Sequence, residues 1–361
     1  MKHLYHLLLA FCVTGPVLAG NDAYIISQKR FVRTQPLYQF WSIENSDDFS
    51  EFSNLVFAYV PFSRRLGVTL RSSQAVVTGE NGMETLGGLT DTQIGLSYYL
   101  EGPNLVFNLG VNLPSGKRNL SSAETATSSR ISSDIFDLQV PHFGQGFNLS
   151  SGLTWAIPVS ENLVVGLGAS YQFRGAYEPF NTDISYDPGE EVLLTGGLDL
   201  RLGERSSISG DAVLTLVAED KINGENEFDA GNRLLLTLQF KKYFGFNELK
   251  MLARYRSRTK DEFLSNGLRQ KTLPNQLEVG MRYQMRFSRV FYLGVLAEVK
   301  HYDRATAVFS DIDLVGLALQ PNLVVSKKVS LPLDLSVRFG RAKGGANLVG
   351  FQLGLGLVIN Y

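Results

Sequence analysis

Lys250, Arg254 and Arg256 stand at even positions of one stretch, and Glu278, Arg282 and Arg286 do the same in a stretch that follows. Side chains two or four residues apart share one face of an extended strand. The chemistry of such a row is electrostatic rather than covalent: Arg and Lys lining a passage draw anions into it. Glu298, Lys300 and Arg338 carry the same parity in later stretches. The residues expected to line a lumen are therefore Lys250, Arg254, Arg256, Glu278, Arg282, Arg286, Glu298 and Arg338. Glu248, Glu278 and Glu298 are the nearby acids of matching parity, too few to neutralise the five cations of the first two stretches. A net positive wall follows. The competing reading is a wall whose ion pairs merely hold it rigid.

Covalent chemistry has little to build on. Beyond the N-terminal leader the chain holds His142 and His301. A lipid-facing hydrolase needs a histidine beside a serine and an orienting polar group. His301 has the outward parity for that role, but no serine stands as its partner, so no catalytic residue is assigned. Leu113 to Arg118 resembles a phosphate loop only in passing, because its glycine spacing is one residue too long and Arg118 stands where Ser or Thr would hold magnesium. The acidic runs 183–191 and 219–229 lack the regular spacing of a calcium loop. Neither a metal nor a cofactor is expected.

The elements that carry these charges are read from alternation. Leu163, Val165, Leu167, Ala169, Tyr171 and Phe173 alternate with small or polar residues, as do Leu234 to Phe240, Leu277 to Met285 and Val329 to Phe339. At the C-terminus Phe351, Leu353, Leu355, Leu357, Ile359 and Tyr361 repeat the pattern up to an aromatic last residue. Segments of about ten residues with one greasy face are the length of a tilted membrane strand. The final stretch also resembles the C-terminal signal that such barrels present to their assembly machinery. Short connections near 63–64, 102–103, 158–161, 203–205, 245–246, 288 and 327 alternate with long polar ones near 77–89, 115–146, 175–190, 219–230, 259–274 and 303–310. Short periplasmic turns and long extracellular loops produce that order in an outer-membrane barrel. The expected fold is all-β: an integral antiparallel barrel of about 14–16 strands, sixteen if 35–43 is the first.

The ends of the chain and its composition agree. Met1 to His3 form a basic start, Leu4 to Val13 an apolar core and Val17 to Ala19 a small-residue cleavage site. Residues 1–19 are read as a signal peptide, 20–34 as a periplasmic lead-in or small lumen segment, and 35–361 as the barrel. Cys12, the sole cysteine, falls in the leader. A net charge of -1 gives no footprint for nucleic acid. After the leader no apolar run is long enough for a membrane helix.

Gly88 to Leu100, a short turn, then Leu105 to Gly116 resembles the hairpin "GLGD…LG…Y…LGL…LPTG" of the transporter-like barrels grouped under the phenol-degradation meta-pathway. Thr90 replaces the second glycine of that pattern and Ser115 its threonine. The resemblance implies an outer-membrane channel for hydrophobic or aromatic compounds, and carries over no solute-binding residue. The expected function is an outer-membrane channel or transporter for small aromatic, hydrophobic or anionic solutes. The alternative is a structural or adhesive barrel, its lumen plugged by charge pairs and its loops binding a partner. Expected partners are outer-membrane lipid and lipopolysaccharide, the barrel-assembly machinery and the solute.

Overall fold

The computed structural model describes residues 29–80, 83–100, 104–180, 184–303 and 311–361. The proposed leader, the start of the lead-in and most of the 303–310 connection lie outside them. Sixteen strands form an antiparallel sheet closed on itself. In chain order they are β1 (Phe31–Ile43), β2 (Phe49–Pro61), β3 (Leu66–Gly79), β4 (Thr92–Leu100), β5 (Leu105–Leu113), β6 (Asn148–Pro158), β7 (Leu163–Arg174) and β8 (Glu191–Arg201). They continue as β9 (Ser206–Val217), β10 (Arg233–Phe244), β11 (Asn247–Arg258), β12 (Asn275–Arg286), β13 (Phe291–Asp303), β14 (Ile312–Val324), β15 (Val329–Ala342) and β16 (Asn347–Leu355, extended by Leu357–Asn360).

Each strand pairs with its sequence neighbours, and β1 closes on β16. Trp41 lies opposite Phe49 on one side and Gly350 on the other, and Phe31 opposite Tyr59 and Asn360. The first strand therefore starts at Phe31 rather than 35, because residues 31–34 pair with Leu357–Asn360 along the seam. Both β-branched and aromatic residues crowd these strands, and the two-residue step sets which face each one takes. Between β10 and β11 the connection is only Gly245 and Phe246. Gly245 takes φ 61, a conformation that costs glycine nothing and a side chain a clash. That turn fixes the register that sets Lys241 opposite Lys250 and Leu236 opposite Tyr255.

Large apolar residues face outward across the middle of the wall and remain exposed, Leu238 by 55% and Leu317 by 54%. A water-soluble sheet would bury that face, so lipid is the solvent it fits. Phe62, Phe246, Phe287 and Tyr361 are exposed around the end that carries the short turns, where barrels place an interfacial aromatic girdle.

Long and short connections do not alternate without exception. The connections 44–48 and 343–346 are short although they lie at the same end as the long loops. They flank the closing seam, where β1, β2, β15 and β16 run directly into one another. The 77–89 segment also differs from an open loop, since β3 continues to Gly79 and Leu86–Leu89 pairs back on Gln74 to Val77. Above β7 to β12, parts of three long loops build a small five-stranded sheet from Tyr186–Asp187, Glu219–Ile222, Glu225–Asp229, Asp261–Phe263 and Leu268–Gln270.

Leu238→Arg or Leu317→Arg places a cation near the middle of the lipid-facing wall. Each should destabilise the barrel by about 2–4 kcal/mol, read as a lower denaturant midpoint for folding into bilayers. An unchanged midpoint would remove this face from lipid.

Candidate functional site

Strands β11 and β12 are hydrogen-bonded neighbours. Lys250 lies opposite Arg282 and Arg254 opposite Glu278, so the row read from sequence is one continuous inner surface. Neutralisation runs further than the wall's own acids allow. Lys250 meets Glu248 at 2.9 Å and Arg254 meets Glu278 at 3.3 Å. Arg256 meets Asp134 at 2.8 Å, and Asp134 belongs to the long connection between β5 and β6. Arg286 stacks over the rings of Phe246 and Tyr292 instead of meeting an acid. Arg282 has no acidic partner among the described residues. Three of the five cations thus meet an acid, and one of those acids, Asp134, comes from a loop, which wall parity cannot reveal.

That connection, 114–147, is not an extracellular loop as its length suggests. It folds into the barrel. Asp91 ties its two ends together by accepting from the Gly116 N–H at 2.8 Å, the Gln145 N–H at 2.7 Å and the Asn112 amide at 3.0 Å. The helix α1 (Ser122–Ile131) starts at a capping box, in which the Ser121 hydroxyl accepts from the Glu124 N–H and the Glu124 carboxylate accepts from the Ser121 N–H. Lys117 pairs with the same carboxylate and holds it below the usual carboxylate range, helped by the Ser121 N–H. After α1 the chain lies flat on the lumen wall.

Apolar contact holds it there. Ile131, Ile135, Phe136, Leu138, Val140 and Phe143 are buried against Trp41, Ile43, Phe49, Val77, Tyr302 and Leu348. Phe136 meets the Phe49 ring edge-on at 4.8 Å and the Trp41 ring at 5.4 Å. Each such side chain contributes about 1.5–3 kcal/mol when fully buried. Gly350 is required here, because a Cβ would stand 2.9 Å from the Trp41 ring.

Polar contacts set the orientation. The Trp41 indole donates to the Phe136 carbonyl at 3.0 Å. Gln39 donates to the Asp137 carbonyl at 3.0 Å and accepts from the Gln139 N–H at 2.8 Å, as a neighbouring strand would. The Val140 N–H donates to Glu51 at 3.1 Å, and the Tyr302 hydroxyl to the Asp134 carbonyl at 3.1 Å.

Asp137 then ties the loop to β13 and β15. Its carboxylate lies 3.1 Å from Lys300 and 3.2 Å from Arg338, and both cations also reach Glu298, at 3.6 and 3.0 Å. Burial alone would raise the Asp137 value, but Lys300 and Arg338 overcome it and hold the carboxyl well below the ordinary range. Glu298 and Arg338, both read from sequence, thus sit in one four-membered cluster with a loop acid that was not.

His301 takes the outer rim, its Nδ1 2.8 Å from Asp313 on β14. Among the described residues no serine is hydrogen-bonded to it, and no group of metal-ligating side chains is found. The signal for the inward loop was present in sequence: six large apolar residues lie between 131 and 143, and Trp41, Ile43 and Phe49 interrupt the polar parity of β1 and β2.

No family model and no curated protein matches the chain. Solved structures do match. A bacterial polysaccharide outer membrane secretin aligns at TM-score 0.50 and 6% identity, over 92% of this chain and 99% of that one. OpdL of Pseudomonas aeruginosa aligns at 0.49 and 13%, over 92% and 98%, and OpdQ of the same organism at 0.48 and 10%, over 92% and 98%. The chain has the fold of an outer-membrane β-barrel. At these identities the likeness concerns the fold alone, and no family match stands behind the resemblance of 88–116 to the phenol meta-pathway barrels.

Asp137→Asn should loosen the loop, because it leaves Lys300 and Arg338 short of a carboxylate. With the Asp137 side chain 37% exposed, the loss is on the order of 1–2 kcal/mol rather than that of a dry pair. Faster cleavage of 132–143 by added protease and a shift in Trp41 fluorescence would register it. A carboxyl depressed in the folded state stabilises fully above the unfolded value of about 4 and loses that contribution as pH falls through its folded value. The share of attachment that Asp137 supplies, read as the difference between the unaltered protein and Asp137→Asn, should accordingly hold between about pH 5 and 8 and fall only in strong acid; a difference that fades near neutrality would contradict this latch.

Proposed function

We propose that the chain is an outer-membrane channel that passes small polar or charged solutes between its inward loop and the opposite wall. The observation that carries this reading is solvent contact inside the barrel. At the edge of the loop the side chains of Arg256 and Asp134 stay 38% and 43% exposed, and that of Asp137 37%. A lumen plugged by its own charge pairs would leave these groups dry. The loop covers the faces of β1 to β3 and β13 to β16, while the inner faces of β5 to β9 present Asn108, Ser170, Thr195, Asp211 and other small or polar groups. Those groups suit a wet passage, and a loop narrowing one side supplies selectivity.

Placement in the outer membrane, with lipid and lipopolysaccharide around the wall, rests on the exposed apolar band and the girdle. Export by a cleaved leader and delivery to the assembly machinery rest on the sequence of residues 1–19 and 351–361. The hydrophobic or aromatic solute class rests only on the 88–116 hairpin, and the polar inner wall favours ionic or hydrogen-bonding solutes. Binding of a partner by the loops keeps one observation in its favour, the extracellular five-stranded sheet with Leu268 51% exposed on its edge strand.

Single-channel recording in planar bilayers decides between them. Steady openings are expected, and silence at all voltages would leave the binding barrel. Arg254→Ser with Arg282→Ser removes one paired and one unpaired cation, leaving Glu278 without its partner. Anion preference, read as reversal potential in a salt gradient, should fall while assembly is kept. An unchanged reversal potential would take this wall out of the permeation path.

A further inference from the structure

Lower on the inner wall, two opposite charges share a polar patch without forming an ion pair. Arg282 lies across β13 in the space that Gly294 leaves open, its Nε 3.2 Å and Nη2 3.4 Å from where a Cβ at 294 would stand. Gln320 of β14 flanks the same point, its Cβ at 3.3 Å, and donates its amide to Asp334 Oδ2 of β15 at 3.3 Å. Arg282 and Asp334 therefore border one glutamine from opposite sides. Neither has an ion pair among the described residues. Arg254, Arg256 and Arg338 on the same lumen all do.

The unmet valence is concentrated here. Arg282 Nε, Gln320 Oε1, Asn322 Oδ1, Asp334 Oδ1 and Ser336 Oγ are all enclosed without a hydrogen-bond partner. Native structures leave few such groups, and each calls for a ligand or an ordered water. A lone anion would satisfy Arg282 but meet repulsion from Asp334, and a lone cation the reverse. Resting on the channel reading, we infer that this patch is a subsite for zwitterionic solutes, with the solute carboxylate on Arg282 and its ammonium on Asp334. Gln320 lies between the two charges. The planar guanidinium suits a carboxylate as a two-pronged partner.

The test is entry into liposomes carrying the full chain, with glycylglycine as the zwitterion, acetate as the anion and arabinose as the neutral reference. Arg282→Gln and Asp334→Asn should each lower the glycylglycine rate relative to arabinose on the order of tenfold, the worth of one charge-assisted hydrogen bond. Acetate should slow only in the Arg282 variant. If Asp334→Asn leaves glycylglycine unchanged or speeds it, the patch is an anion wall or a water site and the inference is overturned. Should Arg282→Gln fail to assemble, Arg282→Lys keeps the charge without the fork and is expected to give a smaller loss; no loss there or in Asp334→Asn also overturns it. Absence of arabinose entry in the unaltered protein would instead remove the channel reading, and this subsite with it.

Discussion

Every backbone N–H and C=O that crosses a hydrocarbon layer must find its partner within the protein. An open sheet of this width would leave two unpaired edges in lipid. Pairing of Phe31–Ile43 with the last strand removes them, and all else depends on that closure. It makes an inside, forces apolar residues to one parity, and lets the other parity hold Arg, Lys, Asp and Glu that lipid would reject. Strand number follows from the same demand, since a chain whose first and last strands meet antiparallel needs an even count.

Within that shell the loop 114–147 divides the lumen in two unlike parts. One is dry and aromatic, built around Trp41, Phe49 and Phe136. The other is wet and charged. The seam between them runs along Asp134 and Asp137, which bind the apolar loop to the cations of β11, β13 and β15. Hydrophobic burial supplies most of the attachment, while the ion pairs fix where the loop's edge stops. Removing a carboxylate there alters the shape of the opening more than the stability of the shell.

Much of the shell was legible because its signals are local. Alternation in 163–173, 277–285 and 351–361 needs only neighbours two residues apart, and the turn at Gly245 needs one residue type. That the strands carrying Lys250–Arg256 and Glu278–Arg286 are neighbours follows from the single loop between them, whereas the register that sets Lys250 opposite Arg282 does not. The site itself was half legible. Wall cations such as Arg254 and Arg338 could be assigned to a face, but Asp134 and Asp137 lie more than a hundred residues from the cations they meet. Nothing in periodicity reports a contact of that range, and a long polar stretch looks the same whether it reaches out or folds in. Reading Trp41, Ile43 and Phe49 as inward and apolar would have asked what covers them.

The surface on which that loop rests is assembled from both ends of the chain: Trp41, Phe49 and Val77 from the first three strands, Tyr302, Ile312, Leu314 and Leu348 from three of the last. No partial barrel contains it. A chain still lacking its final strands offers Phe136 and its neighbours only the Trp41 and Phe49 half of that surface, so the loop is fully buried only once the circle is complete. The docked loop in turn braces the joint between the first strand and the last.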